Sequence, residues 1–255
     1  MDFFQAIILG IVEGLTEFLP VSSTGHLILA SELLHIPETE FLKSFQVIIQ
    51  LGAILAVVVL YWRKLLLDRA VMERIAVAIV PALGVGYLFY ASIRQMLGSE
   101  TVVLWSLFFG GIAIILIEHF RKGKDGEIVE VADMSYKTAF FVGLFQALSV
   151  IPGVSHAGAT IMGGLLLGVK RTAIVEFSFL LAVPTMVAAT GLDLYKHGAS
   201  FSQDDLGLLL VGFAVSFIVA IAAIRFFLRF VSTHTFVPFG IYRIAAAVLF
   251  FLFVL

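Results

Sequence analysis

The chain has no cysteine and no basic tail, and few of its residues are charged: of 255 residues, 13% are Asp, Glu, Lys or Arg, and the formal net charge is −2. Without cysteine, nothing about redox compartment can be read. The near-neutral balance gives no ground for a nucleic-acid partner or an acidic one. The opening MDFFQAIILG contains Asp2 but no Lys or Arg, so the positive region of a secretory leader is missing, and no small-residue cleavage site follows. The start is read as mature protein. What is abundant is apolar surface: 61% of the residues are hydrophobic and the mean hydropathy is +1.09, more than one soluble core can enclose. The composition is that of an integral membrane protein. In lipid the backbone must be satisfied inside helices rather than by an open sheet, which makes the expected fold an all-α bundle in a single membrane domain of residues 1–255.

Six stretches come near the roughly 20 residues needed to cross a bilayer: 45–62, 75–91, 101–120, 173–194, 206–228 and 236–255. Two more are interrupted, residues 3–34 at Pro20 and the SSTG after it, and residues 136–169 at Pro152-Gly153 and the SHAG after it. Their halves are too short to cross alone, so both read as re-entrant helical hairpins, giving six transmembrane helices plus two hairpins. At an offset of 133 residues Gly10 falls on Gly143, Leu15 on Leu148, Val21 on Val154, Ser22 on Ser155 and Gly25 on Gly158, while Glu13 meets Gln146 and Thr16 meets Ser149. With one residue of slippage FQVIIQLGA from Phe45 lies on FSFLLAVPT from Phe177. The chain reads as two copies of one unit, about residues 1–120 and 136–255.

Orientation follows from Lys and Arg, which collect in four joints: Arg63, Lys64, Arg69 and Arg74; Arg121, Lys122, Lys124 and Lys137; Lys170 and Arg171; Arg225 and Arg229. The positive-inside rule places these in the cytoplasm. Joints 32–43, 94–100 and 196–205 and both termini are then outside, the first hairpin enters from outside and the second from inside. The repeats are therefore inverted, and such repeats with broken helices place a site near the bilayer midplane.

Glu13 and Glu17 lie four apart, on one face of the first half-helix. An ionisable group near the membrane centre costs about 2.5–3.5 kcal/mol, so the pair calls for a cation, a shared proton or a water-filled cavity. The plainer alternative is a helix-end pair reaching the interface. After Pro20 the next half-helix begins among Ser22, Ser23 and Thr24, good N-terminal caps, and its free N–H groups and positive dipole end form an anion site. Gly25 allows close approach to the main chain, and His26 follows in the first turn. Gly153, Ser155, His156 and Gly158 repeat the arrangement, with Thr160 one turn on. Two such starts facing one midplane point suit a doubly phosphorylated group. Taken singly, these hydroxyls bond their own helix and a buried histidine packs. Together they supply acid, base, nucleophile and anion stabilisation.

The stretch EGLTEFLPVSSTGH at Glu13 to His26 and PGVSxxGAT at Pro152 to Thr160 closely resemble the two signature motifs of bacterial undecaprenyl-pyrophosphate phosphatases. The similarity extends through FSFLLAVP at Phe177 and PFGIYR at Pro238. It implies an integral enzyme of the bacterial cytoplasmic membrane that removes the terminal phosphate of a polyprenyl pyrophosphate lipid, regenerating the carrier for peptidoglycan and other surface polymers. It also implies that Glu13, Glu17, Ser23, His26 and Ser155 are functional and that a divalent cation is required. The family's Ser-Arg-Ser is Ser155-His156-Ala157 here, so a phosphate-binding arginine and one hydroxyl are missing. Arginine clamps phosphate with a fixed fork, whereas histidine is charged only when its surroundings favour the proton.

The expected mechanism puts Glu13 and Glu17 on a magnesium or calcium ion, the phosphates on Ser22, Thr24, Gly25, Gly153, Ser155, His156 and Thr160, and His26 as the base for Ser23 or for water. Gln46, Gln50, Glu176 and Ser178 are expected near the tips, either supporting the site or bonding between helices; Arg243 is either a phosphate ligand or a snorkelling side chain; and most of the 25 phenylalanines face lipid, with some lining a groove for the prenyl tail. Bilayer lipids are expected neighbours, and a homodimer is left open. Two rivals stand beside the hydrolase: a lipid-phosphate carrier or flippase using the same anion site, and an intramembrane serine hydrolase of peptides, weakened by the lack of a separate oxyanion hole.

Overall fold

The computed structural model describes residues 1–89, 96, 99–121, 126–197 and 203–253. Among these are ten α-helices and no named strand: α1 (Phe3–Thr16), α2 (Ser23–Leu33), α3 (Glu40–Leu66), α4 (Arg69–Leu88), α5 (Glu100–Phe120), α6 (Tyr136–Gln146), α7 (His156–Leu166), α8 (Arg171–His197), α9 (Gln203–Val231) and α10 (Val237–Phe253). Five, α3, α4, α5, α8 and α9, contain a segment long and apolar enough to cross a membrane, whereas α10 has only 17 residues. Each of the six expected spans falls on one of these helices. The joints expected at 94–100 and 196–205, with Lys122, Lys124 and the ends of the second and sixth spans, lie partly or wholly outside the described residues.

The first seven helices each begin behind an Asp, Ser or Thr whose side chain accepts a first-turn N–H: Asp2, Ser22, Thr39, Asp68, Ser99, Ser135 and Ser155. At Asp2 the bond is returned, Gln5 accepting the Asp2 N–H at 2.9 Å. Both interrupted segments are hairpins. Gln5 Nε2 donates to the Leu34 carbonyl at 3.2 Å, so the end of α2 comes back to the start of α1. α6 ends in a 3₁₀ turn at Ala147–Val150, and α7 packs back on it.

The two hairpins open at opposite ends of the bundle. At one end Arg171 holds Glu118 at 2.7 and 3.2 Å, Glu118 accepts the Phe236 N–H at 3.0 Å, Lys64 pairs with Glu176, and Arg74 donates to the Met134 carbonyl at 3.0 Å. These bonds gather the last turns of α3 and α5 with the first of α4, α8 and α10, so the long helices alternate in direction. The second hairpin opens here: Tyr136 donates to Glu73 at 2.6 Å, and Lys170, just past α7, donates to the Ile128 carbonyl at 2.9 Å. The first hairpin opens at the other end, where Ala6 and Leu9 cluster with Ile36, Leu42, Phe45 and Leu209. α1 lies along α9, and a Cβ at Gly14 would stand 2.7 Å from the Ser216 carbonyl, so that contact requires glycine. α6 lies along α4 in the corresponding way.

The phenylalanines divide between surface and interior, with Phe3, Phe4, Phe109, Phe120, Phe226 and Phe251 exposed. Phe18, Phe45, Phe177, Phe179, Phe227, Phe236 and Phe250 are fully buried, and Phe227 meets Phe239 edge to face at 5.3 Å. With side chains this small in number of polar atoms, rings fill the spaces between helices.

Candidate active site

The turns of the two hairpins meet in the interior. Ser155 Oγ donates to the Leu19 carbonyl at 3.4 Å, and His156 Nε2 lies 3.0 Å from the Glu17 carbonyl and 3.3 Å from its carboxylate oxygen Oε1. A carbonyl can only accept, so Nε2 carries the proton. Between the turns is a cavity of about 340 Å³, walled by Glu17, Ser22, Ser23 and Thr24 on one side and Gly153, Ser155 and His156 on the other. The N-termini of α2 and α7 therefore face one space. Ser22 Oγ caps Gly25 N–H at 3.5 Å, and Ser155 Oγ caps Gly158 N–H at 3.0 Å. First-turn N–H groups at two positive dipole ends are the groups that favour an anion.

Both turns contain unusual backbone. Gly153 has φ +87°, and a Cβ there would stand 2.8 Å from the Val103 carbonyl. Ser22 takes φ 71°, a left-handed conformation rare for a residue with a Cβ. Its carbonyl accepts from His26 Nδ1 at 2.7 Å, and His26 Nε2 is 2.7 Å from the Tyr242 hydroxyl, with the two rings stacked. In neutral His26, Nδ1 donates and Nε2 accepts from the phenol. Both nitrogens are thus engaged, and neither meets Ser23.

The partner of Ser23 is Glu17: the serine hydroxyl donates to Oε2 of that carboxylate through a short bond. Glu13 and Glu17 are 0% and 1% exposed; neither carboxylate oxygen of Glu13 has a hydrogen-bond partner, and Oε1 of Glu17 has only the 3.3 Å contact of His156 Nε2. Such buried carboxylate oxygens are costly unless a cation or proton meets them. Among the described residues no group of three or more His, Asp or Glu could form a metal site by protein ligands alone. The two carboxylates are oxygen donors of the kind magnesium or calcium takes, and such an ion would offset their charge.

Several expectations need correction. His26 is turned away from Ser23 and acts on the Ser22 carbonyl, because the helix carries the two side chains to different neighbours. Thr160 is fully buried and donates to its own helix at the His156 carbonyl, 2.8 Å away, outside the cavity wall. Gly25 is covered by α5, where a Cβ would meet Leu107 at 3.2 Å, so helix packing rather than a ligand uses its small size. Glu13 stands beside Glu17 but does not line the cavity. Glu176 pairs with Lys64 at the charged end, away from the tips.

Three more polar residues stand on the cavity wall. Gln146, the positional counterpart of Glu13, lines the cavity with Oε1 unpartnered, and Gln50 and Thr185 line it too. The 133-residue offset could have singled out Gln146, since a buried amide opposite a buried acid is unusual in an apolar helix. Arg243 does not snorkel; it is 2% exposed and donates only to main-chain carbonyls.

A family model described as bacitracin resistance protein BacA matches residues 6–249. An undecaprenyl-diphosphatase of Sulfurihydrogenibium sp. is 51% identical over 252 residues, 99% of each chain. One from Wolinella succinogenes is 50% identical over 98% of this chain and 97% of its own, and one from Persephonella marina 49% over the whole of both. The helices, the shared cavity and this match over nearly the full length agree: the chain belongs to the bacitracin resistance protein BacA family.

Proposed function

We infer that this multi-pass membrane protein is an undecaprenyl-diphosphatase, which hydrolyses undecaprenyl pyrophosphate to undecaprenyl phosphate and inorganic phosphate and so returns the lipid carrier to cell-wall synthesis. The observation that carries the mechanism is the single cavity in which two helix N-termini meet the Ser23–Glu17 pair. The diphosphate lies on the first turns of α2 and α7, with Ser22, Thr24, Ser155 and Gln146 around it. Ser23 Oγ attacks the terminal phosphorus in line, its proton passes to Glu17, and undecaprenyl phosphate leaves. Water then opens the phosphoserine, freeing inorganic phosphate. A divalent cation held by Glu13 and Glu17 supplies charge neutralisation of the phosphates when bound. His26 keeps the first turn in shape from behind.

In the membrane the molecule has six spans and two re-entrant hairpins, arranged as inverted repeats of about residues 1–120 and 136–255, with both termini outside the bacterial cytoplasmic membrane. Support comes from the hairpins opening at opposite ends, the gathering of twelve of the 16 Lys and Arg in four joints, and the paired contacts of α1 with α9 and α6 with α4.

A carrier needs an anion site but no hydroxyl bonded to a buried carboxylate, so the Ser23–Glu17 contact favours hydrolysis. The test is phosphate release from a prenyl diphosphate by purified protein with magnesium, with rapid quench to trap phosphate on Ser23. Movement of the lipid between leaflets without released phosphate would sink the assignment.

A further inference from the structure

Arg243 is a buried cation in a place where an unneutralised charge is expensive, and among the described residues no carboxylate lies within ion-pair distance of it. Its guanidinium instead reaches four carbonyls. Nη1 donates to Pro20 at 3.3 Å, Nη2 to Gly153 at 3.0 Å and to Ser106 at 2.8 Å, and Nε to Leu107 at 3.3 Å. Two of these belong to the hairpin turns, and they are equivalent positions, since Pro20 plus the 133-residue offset is Gly153. The other two belong to α5. Gly110 makes the room: a Cβ there would stand 2.8 Å from Cζ of Arg243. Arg243 does not line the cavity between the tips, but Gly153 does.

We propose that Arg243 is a positioning residue that fixes the spacing of the two hairpin tips by clamping the Pro20 and Gly153 carbonyls to α5, and that it does not touch phosphate. A planar fork is needed, because the donors must leave one side chain in several fixed directions at once; a lysine ammonium is a compact point charge and cannot span both turns. The clamp sets how far the first-turn N–H groups of α7 stand from Ser23, so it acts on catalysis through geometry.

The test uses the full chain. Since no native cysteine is present, Leu15→Cys and Leu148→Cys, 47% and 51% exposed and themselves equivalent positions, give one spin-labelled pair across the hairpins. Pulsed dipolar spectroscopy should show a narrow distance distribution that broadens or shifts in Arg243→Lys, which keeps the charge, and in Arg243→Gln. The kinetic arm rests on the hydrolase reading: kcat should fall about tenfold or more while KM moves less than about threefold. An unchanged distribution in Arg243→Lys overturns the clamp. So does a rise in KM with distances and kcat intact, which would make Arg243 a phosphate ligand. If Arg243→Gln does not accumulate, Arg243→Lys alone decides. If the parent releases no phosphate, the hydrolase reading fails while the distances still judge the clamp.

Discussion

The two hairpins share a frame and differ in chemistry. Each has a half-helix, a turn with a left-handed residue, and a serine-capped second half-helix whose start faces the common cavity. The first carries Glu13, Glu17 and Ser23; at the equivalent positions the second carries Gln146, Val150 and His156. Reactive groups are therefore confined to one tip, and the other offers main-chain N–H groups, an amide and an imidazole. Two acidic tips facing each other would repel both one another and a diphosphate, while two neutral tips would hold the anion and do nothing to it. In the proposed mechanism this asymmetry is what would turn a symmetric anion cradle into a site for bond cleavage.

The largest effect that would sharpen this contrast is metal removal. Chelation should take phosphate release to background and magnesium should restore it, and Glu13→Gln should raise the magnesium concentration needed, whereas Gln146→Ala should leave that concentration unchanged. A chelator-resistant enzyme would leave the unpartnered oxygens of the first tip to a proton instead. Next comes Glu17→Gln, which removes the acceptor of the Ser23 proton and should lower kcat by about 10²–10⁴. Gln146→Ala, on the second tip, should instead change mainly KM. Equal losses in kcat from both would dissolve the division of labour.

His156→Arg tests the same comparison from the side of the cradle. His156 touches Glu17 through Nε2 and leaves Nδ1 buried without a partner. An arginine fork there can bond phosphate in two places at any pH, so KM should fall by up to about tenfold, worth about 1.4 kcal/mol, with kcat little changed. A fall in kcat without any gain in KM would mean that the contact to Glu17 matters more than phosphate.

The long apolar helices, the two breaks and their offset were legible because hydropathy, proline and the glycine-serine turns are local signals. So were the caps at Ser22 and Ser155, since capping depends on residues within one turn. The direction of each side chain was not. Ser23 and His26 sit three apart, which suggested a base and its nucleophile, but Tyr242 and the Ser22 carbonyl claim the imidazole from elsewhere in the fold. Arg243 was equally opaque: its four acceptors come from three distant stretches and are main-chain groups, which have no identity in a sequence.

Thr160 gives the smallest effect and the finest test of which hydroxyls matter. In the sequence it is one more hydroxyl a turn beyond the tip. In the structure it points away from the cavity and bonds the His156 carbonyl of its own helix, a local bond that competes weakly with the helix ladder. Its equivalent in the first hairpin is Leu27, a buried apolar residue, so the shared frame needs no hydroxyl at this level. Thr160→Val keeps the branched shape and should change stability by about 1 kcal/mol or less. KM and kcat for a prenyl diphosphate should stay within about twofold, well under the tenfold that 1.4 kcal/mol of lost binding would give. A tenfold rise in KM would show that α7 turns when substrate enters and brings this hydroxyl to the phosphate, making the second tip an active participant.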